Sequence, residues 1–277
     1  MATRKPQPLK PIKALVLVGA GKMGGAMLDG WLARGLNPKK LVVIEPQPAK
    51  AVKALTRRGL KLNPQGKAAA ASAVVIAVKP QTAPEALPPL AAYVGKTTVV
   101  LSIMAGRTLR FLQQSLPPGT AIVRAMPNTP AAIGRGISVA VANARVSARQ
   151  RKLADALLAA IGQVEWIADE ALIDAVTALS GSGPAYVFLL AEAMTKAGIA
   201  AGLPAPLAAR LARETVAGSG ELLQRSGFDA ATLRQNVTSP GGTTAAALEV
   251  LMGPGGFDEL LTRAIAAAAN RSRELAG

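Results

Sequence analysis

The stretch from Ile12 to Gly24, IKALVLVGAGKMG, decides the fold of this chain. Its first part, Ile12–Val18, is almost entirely apolar and branched, which is typical of a buried parallel strand. From about Met23 to Gly35 the apolar residues recur at helical spacing. Glycines separate the two patterns, so the sequence predicts a strand, a tight turn and a helix.

The turn itself, Gly19-Ala20-Gly21-Lys22-Met23-Gly24, fits the dinucleotide-binding pattern GxGxxG. Gly19 permits the tight turn, Gly21 lets a pyrophosphate approach the backbone, and Gly24 lets helix and strand pack closely. Glu45 follows at the end of the second apolar run, where an acid accepts hydrogen bonds from the adenosine ribose. The combination predicts a bound nicotinamide dinucleotide; a glycine-rich turn without a ligand is the alternative.

The preference between NADH and NADPH stays open at this point. Glu45 would repel a 2′-phosphate, whereas Lys50, Lys53 and Arg57 on the following helix would attract one. The alternative for these three bases is an ordinary solvated helix face, which we favour.

Further apolar runs alternate with helical stretches, which predicts βαβ units and a parallel sheet covered on both faces. The predicted strands are Leu41–Ile44, Ala73–Val78, Thr97–Ser102 and Thr120–Ala125, with shorter candidates at Ile137–Val141 and Val164–Ile167. Lys79-Pro80-Gln81 and Met126–Pro130 come directly after two of these strands, on the side of the sheet where open α/β folds bind ligands. We expect them to position the nicotinamide half of the cofactor, unless they are ordinary loops.

After Asp169 the chain is typical of helices to its end. We therefore predict an α/β fold with an N-terminal Rossmann dinucleotide-binding domain, residues 1–168, followed by an all-helical domain, residues 169–277. Two predicted helices carry stripes of apolar residues whose exposure to water would be unfavourable. They are Leu207, Leu211, Thr215, Gly218 and Leu222 on one helix and Phe257, Leu260, Leu261, Ala264, Ile265 and Ala268 on the last. The stripes predict an obligate dimer at least, unless they cover one another within a monomer.

The amino-acid composition limits which side chains can take part in catalysis or metal binding. The 277 residues are 50% hydrophobic and 17% charged and include neither histidine nor cysteine. This excludes imidazole bases, thiolate nucleophiles, disulfides and zinc sites with nitrogen or sulfur ligands. Catalysis must therefore rest on Ser, Thr, Tyr, Lys, carboxylates or a bound cofactor, and we predict no metal site.

The net charge of +16 suits anionic small molecules, and it also raises the possibility of nucleic acid. Aromatic residues are only 3% and the bases are scattered, so nucleic-acid binding is not favoured. The longest uncharged region, Ala175–Ala191, is interrupted by Ser180–Pro184, which argues against a membrane span. The bases Arg4, Lys5, Lys10 and Lys13 precede the apolar run Ala14–Val18 as in a signal peptide, but the run is short. We expect a cytoplasmic protein.

Two segments of the helical region are unusual: Thr177–Tyr186, TALSGSGPAY, and Val237–Thr244, VTSPGGTT. The second places hydroxyls and glycines before a helical run that begins near Ala245. Its amides and hydroxyls suit an anion-binding nest for a substrate carboxylate, with a helix-capping loop as the alternative.

These motifs give the chain a resemblance to the pyrroline-5-carboxylate reductases. The resemblance covers nearly the whole chain and rests on GAGKMG at 19–24, AVKPQ at 77–81, RAMPNTP at 124–130, ALSGSGPAYVF at 178–188 and VTSPGGTT at 237–244. It implies a helical dimerisation domain, a homodimer that assembles further into rings of dimers, and reduction of 1-pyrroline-5-carboxylate to L-proline by hydride from NADPH or NADH. The chain departs from the family pattern at Phe228-Asp229 and at Glu45.

The resemblance also assigns site residues. It implies that the substrate carboxylate binds the loop Ser239, Gly241, Gly242, Thr243 and Thr244, and that Thr244 is the catalytic hydroxyl beside the ring nitrogen. Together with the nucleotide fingerprint it implies cofactor contacts from Gly19, Gly21, Lys22, Met23, Gly24, Glu45, Val78, Lys79, Pro80 and Asn128.

Other functions compete with this one. Another NAD(P)-dependent imine or β-hydroxyacid oxidoreductase would share the glycine turn, and a nucleotide-binding protein without catalysis would share the whole Rossmann domain. β-Hydroxyacid dehydrogenases depend on a lysine soon after a glycine-rich helix start; here Val187 stands four residues after Gly183, and the next lysine is Lys196.

Overall fold

An eight-stranded sheet organises the first two thirds of the chain in the computed structural model, which describes residues 9, 12–66 and 68–276. The strand order is β3-β2-β1-β4-β5-β6-β7-β8. The strands are β1 Leu15–Val18, β2 Leu41–Ile44, β3 Lys61–Leu62, β4 Ala73–Ile76, β5 Val99–Ser102, β6 Ala121–Pro127, β7 Gly136–Ala142 and β8 Gly162–Trp166. Of the bases in the signal-peptide argument, Arg4, Lys5 and Lys10 lie outside the described residues.

The sheet differs from the prediction in two places. It is not wholly parallel, because β7 runs antiparallel to β6. Only residues 128–135 separate these two strands, and a parallel crossover needs a dozen or more residues. The sequence also missed β3, since Lys61–Leu62 is too short to display an alternation.

Helices cover both faces of the sheet, as the βαβ pattern predicts. They are α1 Lys22–Ala33, α2 Lys50–Ala54, α3 Ala83–Ala86, α4 Leu109–Ser115, α5 Ala148–Leu158 and α6 Ile173–Val176. On one face Trp31 is fully buried among Leu15, Leu17 and Leu157, and on the other Leu112 packs with Val100 and Ile122. The two apolar layers enclose the central strands of the sheet.

The rest of the chain is helical, which confirms the predicted fold class. Its helices are α7 Gly183–Ala200, α8 Ala205–Arg225, α9 Ala230–Asn236, α10 Thr243–Met252 and α11 Phe257–Ala276. The chain forms two compact units. The sheet unit contains the described residues up to Gly181 and those from Ala269 onward, and the helical unit contains Ser182–Ala268.

Within the helical unit, α7 packs against α8 where small residues let the two backbones approach. A Cβ built on Gly198 would lie 3.3 Å from the Cβ of Ala208. Ala208 and Ala212 are the only buried residues of Ser182–Ala268. The helical unit therefore has almost no core of its own.

The end of α11 belongs to the sheet unit. The hydroxyl of Ser272 donates a hydrogen bond of 2.6 Å to the Asp174 carboxylate, and a Cβ on Gly106 would meet the carbonyl oxygen of Leu275 at 2.9 Å. Since α11 continues to Ala276, Arg273 lies in its last turn.

Candidate active site

The glycine turn between β1 and α1 has the shape that its sequence predicts. Gly19 has φ +87°, and a Cβ on it would lie 2.6 Å from the carbonyl oxygen of Ala77. A Cβ on Gly24 would overlap the carbonyl oxygen of Gly19. Both positions therefore require glycine for packing.

Gly21 differs from the other two glycines because nothing lies within 4 Å of a Cβ built on it. It is the residue that caps α1, and no described side chain bonds to the amides of that cap. Lys22 and Met23 form the first helical turn, the former exposed and the latter half-buried. An open glycine in front of free helix amides is the cradle that a pyrophosphate requires.

The loop after β4 lies against this turn. A methyl carbon of Val78 would be 2.9 Å from a Cβ on Gly19, so the predicted cofactor residues at 19 and 78 are neighbours. Lys79 follows as an exposed side chain, and the carbonyl of Pro80 accepts a hydrogen bond of 3.1 Å from the guanidinium of Arg107. Sequence reasoning missed Arg107.

Glu45 reaches back from the end of β2 to the glycine turn. Its Oε2 accepts the N–H of Ala20 at 2.8 Å, and its Oε1 accepts the N–H of Gln47 at 2.9 Å. The side-chain amide of Asn63 bonds to both backbone groups of Glu45, accepting from its N–H and donating to its carbonyl, each at 2.8 Å. The sequence did not single out Asn63; the turn-forming pair Asn63-Pro64 was its only signal.

Asn128 stands at the end of β6, on the same side of the sheet as the glycine turn. Its Oδ1 accepts the N–H of Ile137 at 2.9 Å and so holds the start of β7. In the middle of β6, the buried Arg124 pairs with Glu170 at 2.6 Å, and the same carboxylate accepts the N–H of Leu109 at 2.8 Å. This ion pair ties β6 to α4 and to the segment that leads into α6.

A π-helical turn, Thr177–Gly181, follows α6 and contains the first serine of the SGSGP motif. The hydroxyl of Ser180 is buried and has no hydrogen-bond partner among the described residues. π-Helical turns are frequent at functional sites, because they are costly and redirect side chains.

The loop Ser239–Thr244 forms a tight turn in front of α10. The N–H of Gly242 donates to the carbonyl of Ser239 at 3.0 Å, and Gly241 has φ +68°. The helix begins at Thr243, two residues earlier than the predicted start near Ala245, because the extended Gly242 already acts as its cap. Thr243 and Thr244 therefore lie in the first turn of α10. Because Gly242 has no side chain, it cannot accept a hydrogen bond from the backbone amides of that turn.

The predicted residues fall into two groups. Those from Gly19 to Asn128 belong to the sheet unit, and Ser239–Thr244 belong to the helical unit. Among the residues that the structure describes, no cluster of three or more Asp, Glu, His or Cys has the geometry of a metal site. At Phe228-Asp229, where the chain departs from the family pattern, the Asp229 carboxylate caps α9 by accepting the N–H of Thr232 at 2.7 Å.

A glycine turn that opens a helix, an acid at the end of β2 and the parallel strands around them define a protein of the nicotinamide-dinucleotide oxidoreductase class. The comparisons with known proteins agree. Residues 14–106 match the family described as NADP oxidoreductase coenzyme F420-dependent, and residues 170–275 match pyrroline-5-carboxylate reductase dimerisation.

Similar individual proteins are also named pyrroline-5-carboxylate reductase. The pyrroline-5-carboxylate reductase of Pseudomonas aeruginosa is 39% identical over 264 residues, which is 95% of this chain and 96% of the relative. The reductase of Pisum sativum is 38% identical over 264 residues, 94% of this chain and 95% of its own.

Solved structures agree as well. The reductase structure from Coxiella burnetii superposes with a TM-score of 0.88 at 34% identity, over 96% of this chain and 99% of that one. The Plasmodium falciparum pyrroline carboxylate reductase with NADP bound gives a TM-score of 0.80 at 28% identity, over 95% and 98% of the two chains. This chain therefore belongs to the pyrroline-5-carboxylate reductases, the NAD(P)H-dependent oxidoreductases of the last step of proline biosynthesis. The predicted family, fold class and cofactor class are confirmed.

Proposed function

We propose that this chain performs its family's reaction, reduction of 1-pyrroline-5-carboxylate to L-proline, with the residue roles that follow. The observation that carries the proposal is the pair of glycine-capped helix starts, Gly21 at α1 and Gly242 at α10. Helices α4, α5 and α9 instead use the side chains of Thr108, Ser147 and Asp229 as caps. Helices α2, α7 and α8 also lack a side-chain cap, but the residue that precedes each of them is not a glycine. A helix start without a side-chain cap leaves its amides free for an anionic ligand.

The nicotinamide dinucleotide supplies the hydride when it is bound. The open amides behind Gly21 suit its pyrophosphate, and Glu45 suits the adenosine ribose. The loops after β4 and β6 would position the nicotinamide half. The proposed cofactor residues remain those of the sequence analysis: Gly19, Gly21, Lys22, Met23, Gly24, Glu45, Val78, Lys79, Pro80 and Asn128.

The loop Ser239–Thr244 would hold the substrate carboxylate. Free amides at the start of α10, the hydroxyl of Ser239 and the helix dipole all favour a negative charge there. Thr244, in the first turn of α10, would place its hydroxyl at the ring nitrogen. An iminium carbon is already electrophilic, so the chain needs to align and desolvate it rather than supply a histidine acid.

The helical unit would be completed by a second copy of the chain. Many of its large apolar side chains are exposed: Val187, Phe188, Leu189, Leu190, Ile199, Leu203, Leu207, Leu211, Leu222, Leu223, Phe228, Val237, Val250, Leu251, Met252, Phe257, Leu260 and Leu261. The dimerisation family that covers residues 170–275 supports a partner subunit as their cover. Assembly into a ring of dimers is a further part of this proposal.

By length and composition alone, the segment Glu170–Ala200 would also be apolar enough to cross a membrane. We favour burial against a partner subunit, because Ser180–Pro184 interrupts the segment and a protein-facing helix needs the same apolar surface. On this basis we propose a cytoplasmic protein whose positive charge attracts the anionic substrate and dinucleotide rather than nucleic acid. We also propose the functional boundary at residues 168 and 169.

The test follows the absorbance of NADH or NADPH with purified protein, with and without 1-pyrroline-5-carboxylate. We expect cofactor oxidation only when the pyrroline acid is present, with proline as the product. A β-hydroxyacid in its place is the control for the competing oxidoreductases. Binding of dinucleotide without turnover on any pyrroline substrate, at any pH, would leave a nucleotide-binding protein and refute the proposed reaction.

A further inference from the structure

Asn63 has a backbone conformation that residues other than glycine rarely adopt. Within residues 9, 12–66 and 68–276 it is the only non-glycine residue with positive φ, at 43°. L-residues avoid this region because Cβ crowds the backbone, and asparagine tolerates it better than most. Such a conformation persists where the surrounding bonds require it.

The hydrogen bonds of the Asn63 backbone N–H and of its side chain lead to the end of β2. The strand β3 pairs with β2 through two residues only, Val42 with Lys61 and Val43 with Leu62. Asn63 then continues the ladder, because its N–H donates to the carbonyl of Val43 at 2.8 Å. Its side chain bonds to the N–H and the carbonyl of Glu45, as a neighbouring strand would. Asn63 thereby fixes the backbone from which the Glu45 carboxylate extends.

The carboxylate itself is held at both oxygens, by the N–H groups of Ala20 and Gln47. An ionised carboxylate has about four acceptor positions, so capacity remains for ribose hydroxyls. The side chain would have to break both bonds to turn away from the glycine turn. A 2′-phosphate would therefore meet a fixed negative charge, whereas a 2′-hydroxyl would meet an acceptor.

The nearby bases do not reverse this preference. Lys50, Lys53 and Arg57 are exposed on and after α2, where water screens their charge. They attract the phosphates that both dinucleotides share. Discrimination requires contact with the 2′ position, and Glu45 is the acid whose carboxylate is held against the glycine turn by the N–H of Ala20.

We propose that Asn63 is the positioning residue of cofactor selection and that, by locking Glu45, it makes this chain select NADH over NADPH. The proposal rests on the nucleotide site assigned under the proposed function. The side chain of Asn63 bonds to the backbone of Glu45, at the adenosine end of the proposed nucleotide site, so its role is confined to that end of the cofactor.

The experiment measures two ratios. Calorimetry compares binding of 5′-AMP with binding of adenosine 2′,5′-bisphosphate, and kinetics compare kcat/KM for NADH and NADPH with the pyrroline acid. For the unaltered chain we expect both ratios to favour the ligand without the 2′-phosphate by about tenfold or more. Glu45→Ser should remove most of this preference.

Asn63→Gly keeps the backbone conformation and deletes the amide. We expect it to lower both ratios by about three- to tenfold through KM, with kcat changed by less than about twofold. If the glycine variant does not fold, Asn63→Ser, whose side chain is too short to bridge both backbone groups of Glu45, has the same expected effect.

Asn143 provides a matched control. Its amide also bridges a strand, accepting from the N–H of Ile122 at 3.1 Å and donating to the carbonyl of Thr120 at 3.0 Å, but at the opposite end of the sheet. Asn143→Gly should therefore reduce stability without moving either ratio.

Three results would overturn the proposal: an unaltered chain that binds the 2′-phosphorylated ligand as well as 5′-AMP, an Asn63→Gly variant with unchanged ratios, or an Asn143→Gly variant that moves them equally. Failure of the proposed reaction is a separate result, because it would abolish pyrroline turnover and leave the nucleotide-binding ratio intact.

Discussion

The sheet unit and the helical unit use apolar residues in opposite ways. In the sheet unit the strands and helices bury one another's side chains, and Trp31 is 0% exposed. In the helical unit Phe188 is 63% and Val250 77% exposed, and its two buried residues are alanines. Burial of apolar area is the main source of folding free energy, so the first unit holds most of what it needs within one chain and the second does not. The difference indicates where a partner must contribute.

The largest expected effect comes from a charge on the exposed face of α8. Leu211→Asp should dissociate the dimer and abolish activity, because the apolar stripe would have to bury a carboxylate. Light scattering and the pyrroline assay measure the two consequences. Gln224→Asp, on the opposite side of the same helix, introduces the same charge and should keep both the dimer and the turnover. A fully active monomer of about 28 kDa would show that the helices need no partner.

A smaller effect should follow from removing one hydroxyl of the helical unit. Thr244→Val should lower kcat by about 10- to 10³-fold, the scale of a positioned polar or acid–base group, with little change in dinucleotide binding. Steady-state kinetics and calorimetry separate the two quantities. Thr262→Val, which deletes a hydroxyl that donates to the carbonyl of Asp258 on its own helix, is the control. A folded Thr244→Val enzyme with normal kcat would remove Thr244 from the mechanism.

The core of the sheet unit can be weakened without touching the helical unit. Glu170→Ala leaves the buried Arg124 without its counter-charge and Leu109 without its acceptor, which should cost about 2–4 kcal/mol of unfolding free energy. Both tryptophans, Trp31 and Trp166, lie in the sheet unit, so their fluorescence in a urea titration reports this unit alone.

The double variant Arg124→Met with Glu170→Leu is the control for this ion pair. Because it removes both charges and keeps apolar volume, it should recover most of the lost stability. If the double variant is no more stable than Glu170→Ala, the unpaired arginine is not the source of the cost.

The smallest expected effect is a pH dependence of α9. Its cap lowers the pKa of Asp229, because the carboxylate accepts the N–H of Thr232. A lowered pKa means that the cap contributes its full stability above the ordinary aspartate value of about 3.8 and loses it as the pH falls through the lowered value. The melting temperatures of the unaltered chain and of Asp229→Asn should differ at pH 7 and should converge only near about pH 2.5. Parallel curves over the whole range would contradict the cap's ionic contribution.

Local patterns predicted most of the fold. The strand Leu41–Ile44 was predicted at its observed bounds, and Leu15–Val18 and Gly136–Ala142 to within a few residues, because each is rich in branched apolar residues. The predicted sheet was wholly parallel, which is wrong for β7, because the residues within a strand do not indicate whether it pairs parallel or antiparallel. The predicted start of α10 was two residues too late, because its cap is Gly242 and not one of the polar residues that usually mark a helix start in a sequence.

The candidate site divides in the same way. Its motifs are contiguous and readable, and the glycine turn, AVKPQ and SPGGTT were found from the sequence. The residues that hold those motifs were not found, because each acts on a distant part of the chain. Arg107 bonds to Pro80 across 27 positions, and Arg124 pairs with Glu170 across 46.

The sequence by itself determined the fold class and the nucleotide turn, because strand, glycines and helix follow one another within a few residues and their physics is local. It determined the family through the resemblance of motifs such as VTSPGGTT. Only the tertiary structure decided that Asn63 clamps Glu45, across 18 positions, and that the helical unit exposes its apolar side chains. Hydrogen bonds and burial depend on which segments meet in space. Composition and spacing along one chain cannot specify that meeting.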